Sequence, residues 1–198
     1  MFDLLKHGVK KGEELGGEFV EARFDDLMVR ELRAEKRVVK DIKSFRRRGI
    51  GVNLYYGGAT GYSFTVDLSR QAVTKTVARA MKIAEASSGA AGIEVEPGEA
   101  PTSKSKKLEL RVKKHPRDFQ LGFKKDLMLR AVDSAQEQGQ KISSITGRYG
   151  EFYGEKLFLN SAGTRVSWHP LVVDLRLRVV SKEGDLLVDG ADAFGGSF

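Results

Sequence analysis

The sequence contains no cysteine. Disulfides, thiolate zinc sites and a cysteine nucleophile are therefore excluded within these 198 residues. Histidine is nearly as scarce. His7, His115 and His169 lie far apart, and no His-Glu-x-x-His pattern joins any of them. His169 sits between Trp168 and Pro170, where a turn role fits better than a ligand role. Neither a Gly-x-Ser-x-Gly elbow nor a Walker loop occurs. No apolar run approaches the roughly 18 residues of a membrane helix. The N-terminus, MFDLLKHGVKKGEELGG, lacks the apolar core of a signal peptide. These absences predict a cytoplasmic protein with no self-sufficient active site and no catalytic, cofactor-binding or metal-binding residue of its own.

What is present is an ordinary globular composition, 40% hydrophobic and 31% charged, with a formal net charge of +7. The basicity is local. Lys104, Lys106, Lys107, Arg111, Lys113, Lys114 and Arg117 crowd one segment that contains a single acid, Glu109. Arg46, Arg47 and Arg48 form the second cluster. Without these two groups the chain is slightly acidic. A solvated linker and a nucleic-acid patch produce the same pattern. Aromatics interleave with cations only around Arg46–Arg48, where Tyr55, Tyr56, Tyr62 and Phe64 lie nearby. Tyr56 shares an apolar face with Ile50, Val52 and Leu54, so the sequence favours core there and argues against nucleic acid as the partner.

The stretch RRRGIGVNLYYGGATGYSF, residues 46–64, carries the most punctuation. A dinucleotide fingerprint needs its glycines between a strand and a helix. Here Gly49 and Gly51 begin a strand in which Ile50, Val52, Leu54 and Tyr56 alternate with smaller or polar residues. Gly57-Gly58 suits the positive φ of a two-residue hairpin turn, and 59–64 returns as the partner strand. Glycines at 49, 51 and 61 predict that another backbone or side chain lies close to the sheet.

Elsewhere the first half reads as a helix over 3–15 stopped by Gly16-Gly17, with Leu4, Leu5, Val9 and Leu15 on one face. Extended runs follow at 18–33, broken at Asp25-Asp26, and at 37–45, with a turn at Ala34-Glu35-Lys36. A helix then covers 67–87, capped by Asp67 or Ser69, with Val73, Val77, Ala80, Met81 and Ala84 on one face. Residues 88–106 show no apolar period and read as a linker. The second half opens with a strand at 108–112. A helix follows to about 138, with Phe123, Leu127, Ala131 and Ala135 on its face and Met128 and Val132 beside them. Runs at 141–150, 152–160 and 165–181 are extended, and Leu186–Asp189 pairs back. The pairs Glu21/Arg23 and Asp174/Arg176/Arg178 each share a strand face, which suits ion pairs on a wet sheet surface. The order predicts an α+β fold of two subdomains, each a largely antiparallel β-sheet packed with one main α-helix. The domains are placed at 1–88 and 108–198, with 89–107 as linker.

With these elements in order, the sequence resembles the N-terminal portion of the TldD/PmbA family of metallopeptidases. Phe19-Val20-Glu21-Ala22-Arg23 is similar to the family's first strand, and Arg48-Gly49-Ile50-Gly51-Val52 to its Arg-Gly-Val-Gly-Val strand. Gly57 to Phe64 resembles its hairpin return, and Asp67-Leu68-Ser69 its helix entry. Val29 to Val38 resembles the next hairpin, although Ala34-Glu35 stands where the family usually has Asn-Gly. Leu159-Asn160-Ser161-Ala162-Gly163, His169-Pro170-Leu171-Val172 and the strand to Ser181 are similar to the family's middle segment.

The resemblance implies a zinc peptidase of the TldD type acting on short or unfolded peptides, some of them antibiotic precursors. It implies a homodimer, or a heterodimer with a TldD/PmbA-family partner. Its catalytic His-Glu-x-x-x-His helix and later cysteine belong to a C-terminal half, and no position here matches them. The expectation is therefore a non-catalytic N-terminal half that contributes to the substrate cleft and to dimerisation, with no cofactor in this chain and zinc in a full-length protein. The glycine-rich end at 193–198 reads as an interruption. The rival expectation is a stand-alone binding or assembly module, with the basic patches as a nucleic-acid surface.

Overall fold

The computed structural model describes residues 1–89, 106–108 and 112–197. Most of the expected 89–107 linker and of the expected 108–112 strand lies outside the described residues, as do Lys104 and Arg111, whereas Lys106 and Lys107, placed in that linker, stand in a short strand. Three α-helices, α1 (Phe2–Glu14), α2 (Arg70–Ser87) and α3 (Leu121–Gln136), accompany eight strands among the described residues. The strands are β1 (Phe19–Glu35), β2 (Val38–Tyr56), β3 (Ala59–Thr65), β4 (Lys106–Leu108), β5 (Ile142–Asn160), β6 (Arg165–Trp168), β7 (Leu171–Glu183) and β8 (Leu186–Ser197). Their order is β3-β2-β1-β5-β6-β4, and β7 pairs with both β5 and β8. The sheet is mostly antiparallel, with β4 parallel to β6. The α+β class and the antiparallel character match the sequence expectation.

Contacts divide the chain into two compact units. The first comprises Met1–Leu27, Arg47–Glu109 and Gly154–His169, and the second Met28–Arg46, Leu110–Tyr153 and Pro170–Phe198. The long strands β1, β2 and β5 thus each contribute to both. Strand β5 changes partner along one edge: residues 142–153 pair with β7 and 156–159 with β6.

In the first unit α1 ends as its glycines require. Gly16 takes φ +97, its N–H donates to Glu13 O, and Gly17 N–H donates to Gly12 O. Ser69 is the N-cap of α2, its Oγ accepting from Ala72 N at 3.2 Å. The predicted α2 face, Val73, Val77, Ala80, Met81 and Ala84, is buried against Val20, Ala22 and Phe24 of β1 and Ile50, Val52 and Leu54 of β2. Gly57 and Gly58 take φ +54 and +75, the values of the expected hairpin turn. Gly61 explains itself most clearly. A Cβ there would sit 1.9 Å from Ala80 O, so α2 lies directly on the backbone of β3.

Several sequence expectations need correction. The break at Asp25-Asp26 does not occur, and β1 runs through it. Arg47 and Lys156 reach Asp25 at 3.2 and 3.3 Å, and Arg48 reaches Asp26 at 3.3 Å, which neutralises both acids in the strand. The runs at 37–45 and 50–56 are one strand, as are those at 141–150 and 152–160. The first turn falls on Lys36-Arg37, two non-glycine residues at φ +45 and +69. The 165–181 strand is split at His169-Pro170, because proline has no N–H for the ladder.

A further correction concerns α3 in the second unit. The buried face of α3 is Lys124, Met128 and Val132, one position on from the expected Phe123 row. Phe123 is 48% exposed and stacks on Phe119 at 4.9 Å between centroids. Met128 packs with Leu32, Ala34 and Tyr149, and Val39, Leu129, Val173 and Leu175 surround them. A Cβ on Gly147 would lie 2.7 Å from Val132, so this glycine seats the helix on β5.

Candidate functional site

Two places in the chain combine chemistry with enclosure, one in each unit. The first is built on the stretch 46–64. Strand β3 pairs only with β2 and is an edge of the sheet among the described residues. Its positions alternate: Gly61 and Ser63 are on the α2 side, while Tyr62 and Phe64, with Val66 just past the strand's end, are 57%, 63% and 74% exposed. Gly49 and Gly51 of β2 lie beside this apolar row, and a Cβ on Gly51 would meet Tyr62 Oη at 2.7 Å. The result is a groove of about 750 Å³ whose floor is glycine and whose one wall is apolar.

The other wall is charged. Glu21, Arg23 and Asp25 of β1 and Lys156 of β5 line it with Arg47 and Arg48. Arg23 donates to Glu21 at 2.8 Å and lies over the Phe158 ring at 5.3 Å. Lys156 lies over Trp168 at 5.9 Å and shares Asp25 with Arg47. The structure therefore does bring aromatics and cations onto one sheet face. Each of these cations has a carboxylate within ion-pair distance, however, which leaves little net field for a polyanion. The same neutralisation explains how Arg47 and Arg48 can occupy a strand.

The second place was not legible in the sequence. Glu151 of β5 has a fully buried carboxylate. Its Oε1 accepts from Lys124 Nζ at 2.7 Å and from Arg30 Nη1 at 2.8 Å, and its Oε2 accepts from the Tyr149 hydroxyl at 2.6 Å. Lys124, on the buried face of α3, is 2% exposed at its side chain. Burial, helped by the Glu151 carboxylate, pushes the Tyr149 phenol far above its ordinary value. Close by in sequence, His115 Nδ1 accepts from Arg117 N at 3.1 Å, and its ring meets Tyr153 edge-on at 4.7 Å. Desolvation first, then the Arg117 charge, hold His115 below the usual imidazole range. The carboxylate is fully engaged by three donors, so the cluster pins α3 to β1 and β5 and has no spare acid or base. The available signal was the i, i+4, i+8 spacing of Lys124, Met128 and Val132, obscured because a lysine was not counted as a core residue.

No group of three or more His, Cys, Asp or Glu side chains suited to a metal exists among the described residues. No helix among them is long and apolar enough to cross a membrane.

Residues 20–84 match the family model described as PmbA/TldA metallopeptidase domain 1, and residues 114–198 match that of the PmbA/TldA metallopeptidase central domain. The chain belongs to the PmbA/TldD metallopeptidase family. A metalloprotease of Methanocaldococcus jannaschii is 24% identical over 160 residues, which is 80% of this chain and 34% of that protein. The chain thus spans about a third of the curated relative it matches. Among solved structures, a protein described as a modulator of DNA gyrase from Bacteroides thetaiotaomicron superposes with a TM-score of 0.75 at 14% identity, over 99% of this chain and 44% of that one. TldE from Thermococcus kodakarensis gives a TM-score of 0.66 at 14% identity, over 97% and 42%. These two likenesses concern the fold. In the PmbA/TldD chain described here, Arg48–Val52, the Gly57 hairpin and the α2 entry all lie within the first match, and His169-Pro170 and β7 within the second.

Proposed function

We propose that this PmbA/TldD polypeptide is the non-catalytic, substrate-positioning part of a TldD-like zinc peptidase. The observation that carries the proposal is the pair of domain matches in family order, in a sequence with no His-Glu-x-x-x-His. Segments 1–88 and 108–198 are the first-domain-like and central-domain-like parts, joined by 89–107. The groove beside β3 is the chain's contribution to a peptide cleft. An unpaired strand edge supplies backbone donors and acceptors to an extended peptide, and Tyr62, Phe64 and Val66 supply alternate apolar contacts. Dimerisation with a second family chain, and a cytoplasmic location, belong to the same reading.

The test has two arms. The purified chain, with zinc added, is assayed against an unstructured peptide alone and after mixing with a polypeptide that carries His-Glu-x-x-x-His. Hydrolysis only in the mixture is expected, and chelator-sensitive hydrolysis by the chain alone would overturn the non-catalytic assignment. In the second arm the same peptide is titrated into the labelled chain. Amide shifts confined to residues 59–66 are expected, and shifts absent from this strand would remove the groove from the reading.

A further inference from the structure

The second unit carries another cavity, on the sheet face opposite α3. It is an open cleft of about 410 Å³ lined by Arg33 of β1, Lys43 of β2, Arg148 of β5 and Arg176 of β7, together with three carboxylates. Three of these cations stand in one row. Arg148 is directly opposite Arg176 in the β5–β7 ladder. Ser161 N–H donates to Val20 O, and Lys36 N–H donates to Ile145 O. Those two bonds set β1 antiparallel to β5 in a single register, which places Arg33 opposite Arg148. The pairs Arg30–Glu151 and Asp25–Lys156 obey the same register.

Like charges directly opposite across strands destabilise a sheet. The two outer arginines are each relieved locally, Arg33 by Glu35 and Arg176 by Asp174 at 2.6 Å. The central Arg148 makes no ion pair among the described residues. Moreover, Arg33 Nε is buried and lacks a hydrogen-bond partner. A buried donor without an acceptor is costly, and a guanidinium presents its donors as a planar fork. Gly150 keeps the floor beside Arg148 open: a Cβ there would lie 2.5 Å from Asp174 Oδ1.

We propose that the Arg33–Arg148–Arg176 row is a binding site for a carboxylate. Glu31, Asp41 and Asp174 in the lining, with Glu35 on Arg33, already balance the four cations, so the free donors of Arg148 and of Arg33 Nε, rather than a net charge, receive the anion, and a singly charged carboxylate upsets that balance less than a phosphate dianion. The carboxylate's two oxygens suit the planar fork of Arg148 and leave an acceptor for Arg33 Nε. A free small acid and an acidic residue of a polypeptide offer the same group.

The test follows the arginine Nε–Hε resonances of the whole chain during titration with succinate, with the peptide Gly-Glu-Gly and with inorganic phosphate, each at matched ionic strength. The expected result is saturable movement of the Arg33 and Arg148 resonances with succinate, with the peptide, or with both. A response to succinate alone identifies a free acid, and a response to the peptide alone identifies a polypeptide ligand. In Arg148→Gln the Arg33 response should weaken about tenfold. Arg148→Lys, which keeps the charge and loses the fork, should fall between the two. Tighter binding of phosphate than of either carboxylate would overturn the assignment. So would an unchanged Arg33 response in Arg148→Gln, or movement that merely follows ionic strength.

Discussion

Replacing Glu151 by glutamine tests the energetic asymmetry of the buried cluster. Among the described residues Glu151 is the only anion bonded to Lys124 and Arg30, and its side chain and that of Lys124 are 0% and 2% exposed. Glutamine preserves the shape and removes the charge, leaving two cations without a counterion. Breaking a buried pair from one side costs about 3–5 kcal/mol. Replacing Lys124 by methionine should behave differently. It removes one of two cations, keeps an apolar stem against Met128's row, and leaves Arg30 and Tyr149 bonded to Glu151 at 2.8 and 2.6 Å. Arg30 stays as the counterion of Glu151, so no buried charge is left uncompensated, and Lys124→Met should cost far less than Glu151→Gln, about 1 kcal/mol. Because the chain forms two compact units, the readout should be local. Amide hydrogen exchange of α3 is suitable: it should accelerate about 10²–10⁴-fold in Glu151→Gln and change little in Lys124→Met. If Glu151→Gln does not fold, the double variant with Lys124→Met should fold again, since one cation has been withdrawn. Equal losses in the two single variants, or no acceleration in Glu151→Gln, would refute the reasoning.

Three further outcomes are expected. Tyr149 is held far above its ordinary pKa of about 10 in the folded chain. Its contribution to stability is therefore complete below about pH 10 and is lost as pH rises beyond it, since the unfolded state releases the proton first. Tyr149→Phe should flatten that alkaline limb in a series of urea melts, and an unchanged slope would count against burial as the cause. Gly61→Ala should destabilise the first unit by about 1–3 kcal/mol or more, because its Cβ meets the α2 backbone at 1.9 Å, whereas Gly51→Ala should cost little, because only the exposed Tyr62 ring must move. Thermal melts of the two variants should separate clearly. Lys36→Asn should stabilise by about 0.5–1 kcal/mol, since asparagine tolerates the φ of +45 better than lysine, and an unchanged melting temperature would show that this turn carries no strain.

Much of the first unit was legible because its signals are local. The α2 face is aliphatic at helical spacing, Ser69 is a strong cap, and Gly57-Gly58 demands a tight turn. Each preference agrees with the packing that follows, from the buried Val73–Ala84 face to the hairpin register Tyr56↔Ala59. Gly49, Gly51 and Gly61 were readable as places of close approach, although only the structure shows that Gly61 admits a helix and Gly51 a tyrosine ring.

The failures share a cause. Asp25 and Asp26 read as a break because isolated acids disfavour strands. Cations from β2 and β5, remote in sequence, cancel that preference. Lys124 read as surface because lysine is seldom buried unpaired, and its partner Glu151 lies 27 residues away. The row Arg33–Arg148–Arg176 joins three strands whose register no local pattern specifies.

By itself, then, the sequence determined the element types, the helix caps, the glycine turns and the family, since these depend on neighbours within a few residues or on motifs in order. Tertiary structure decided which charges are neutralised, which lysine is core and which arginines stand together. Those outcomes rest on Coulomb energy and desolvation between groups brought close only when β1, β5 and β7 pair.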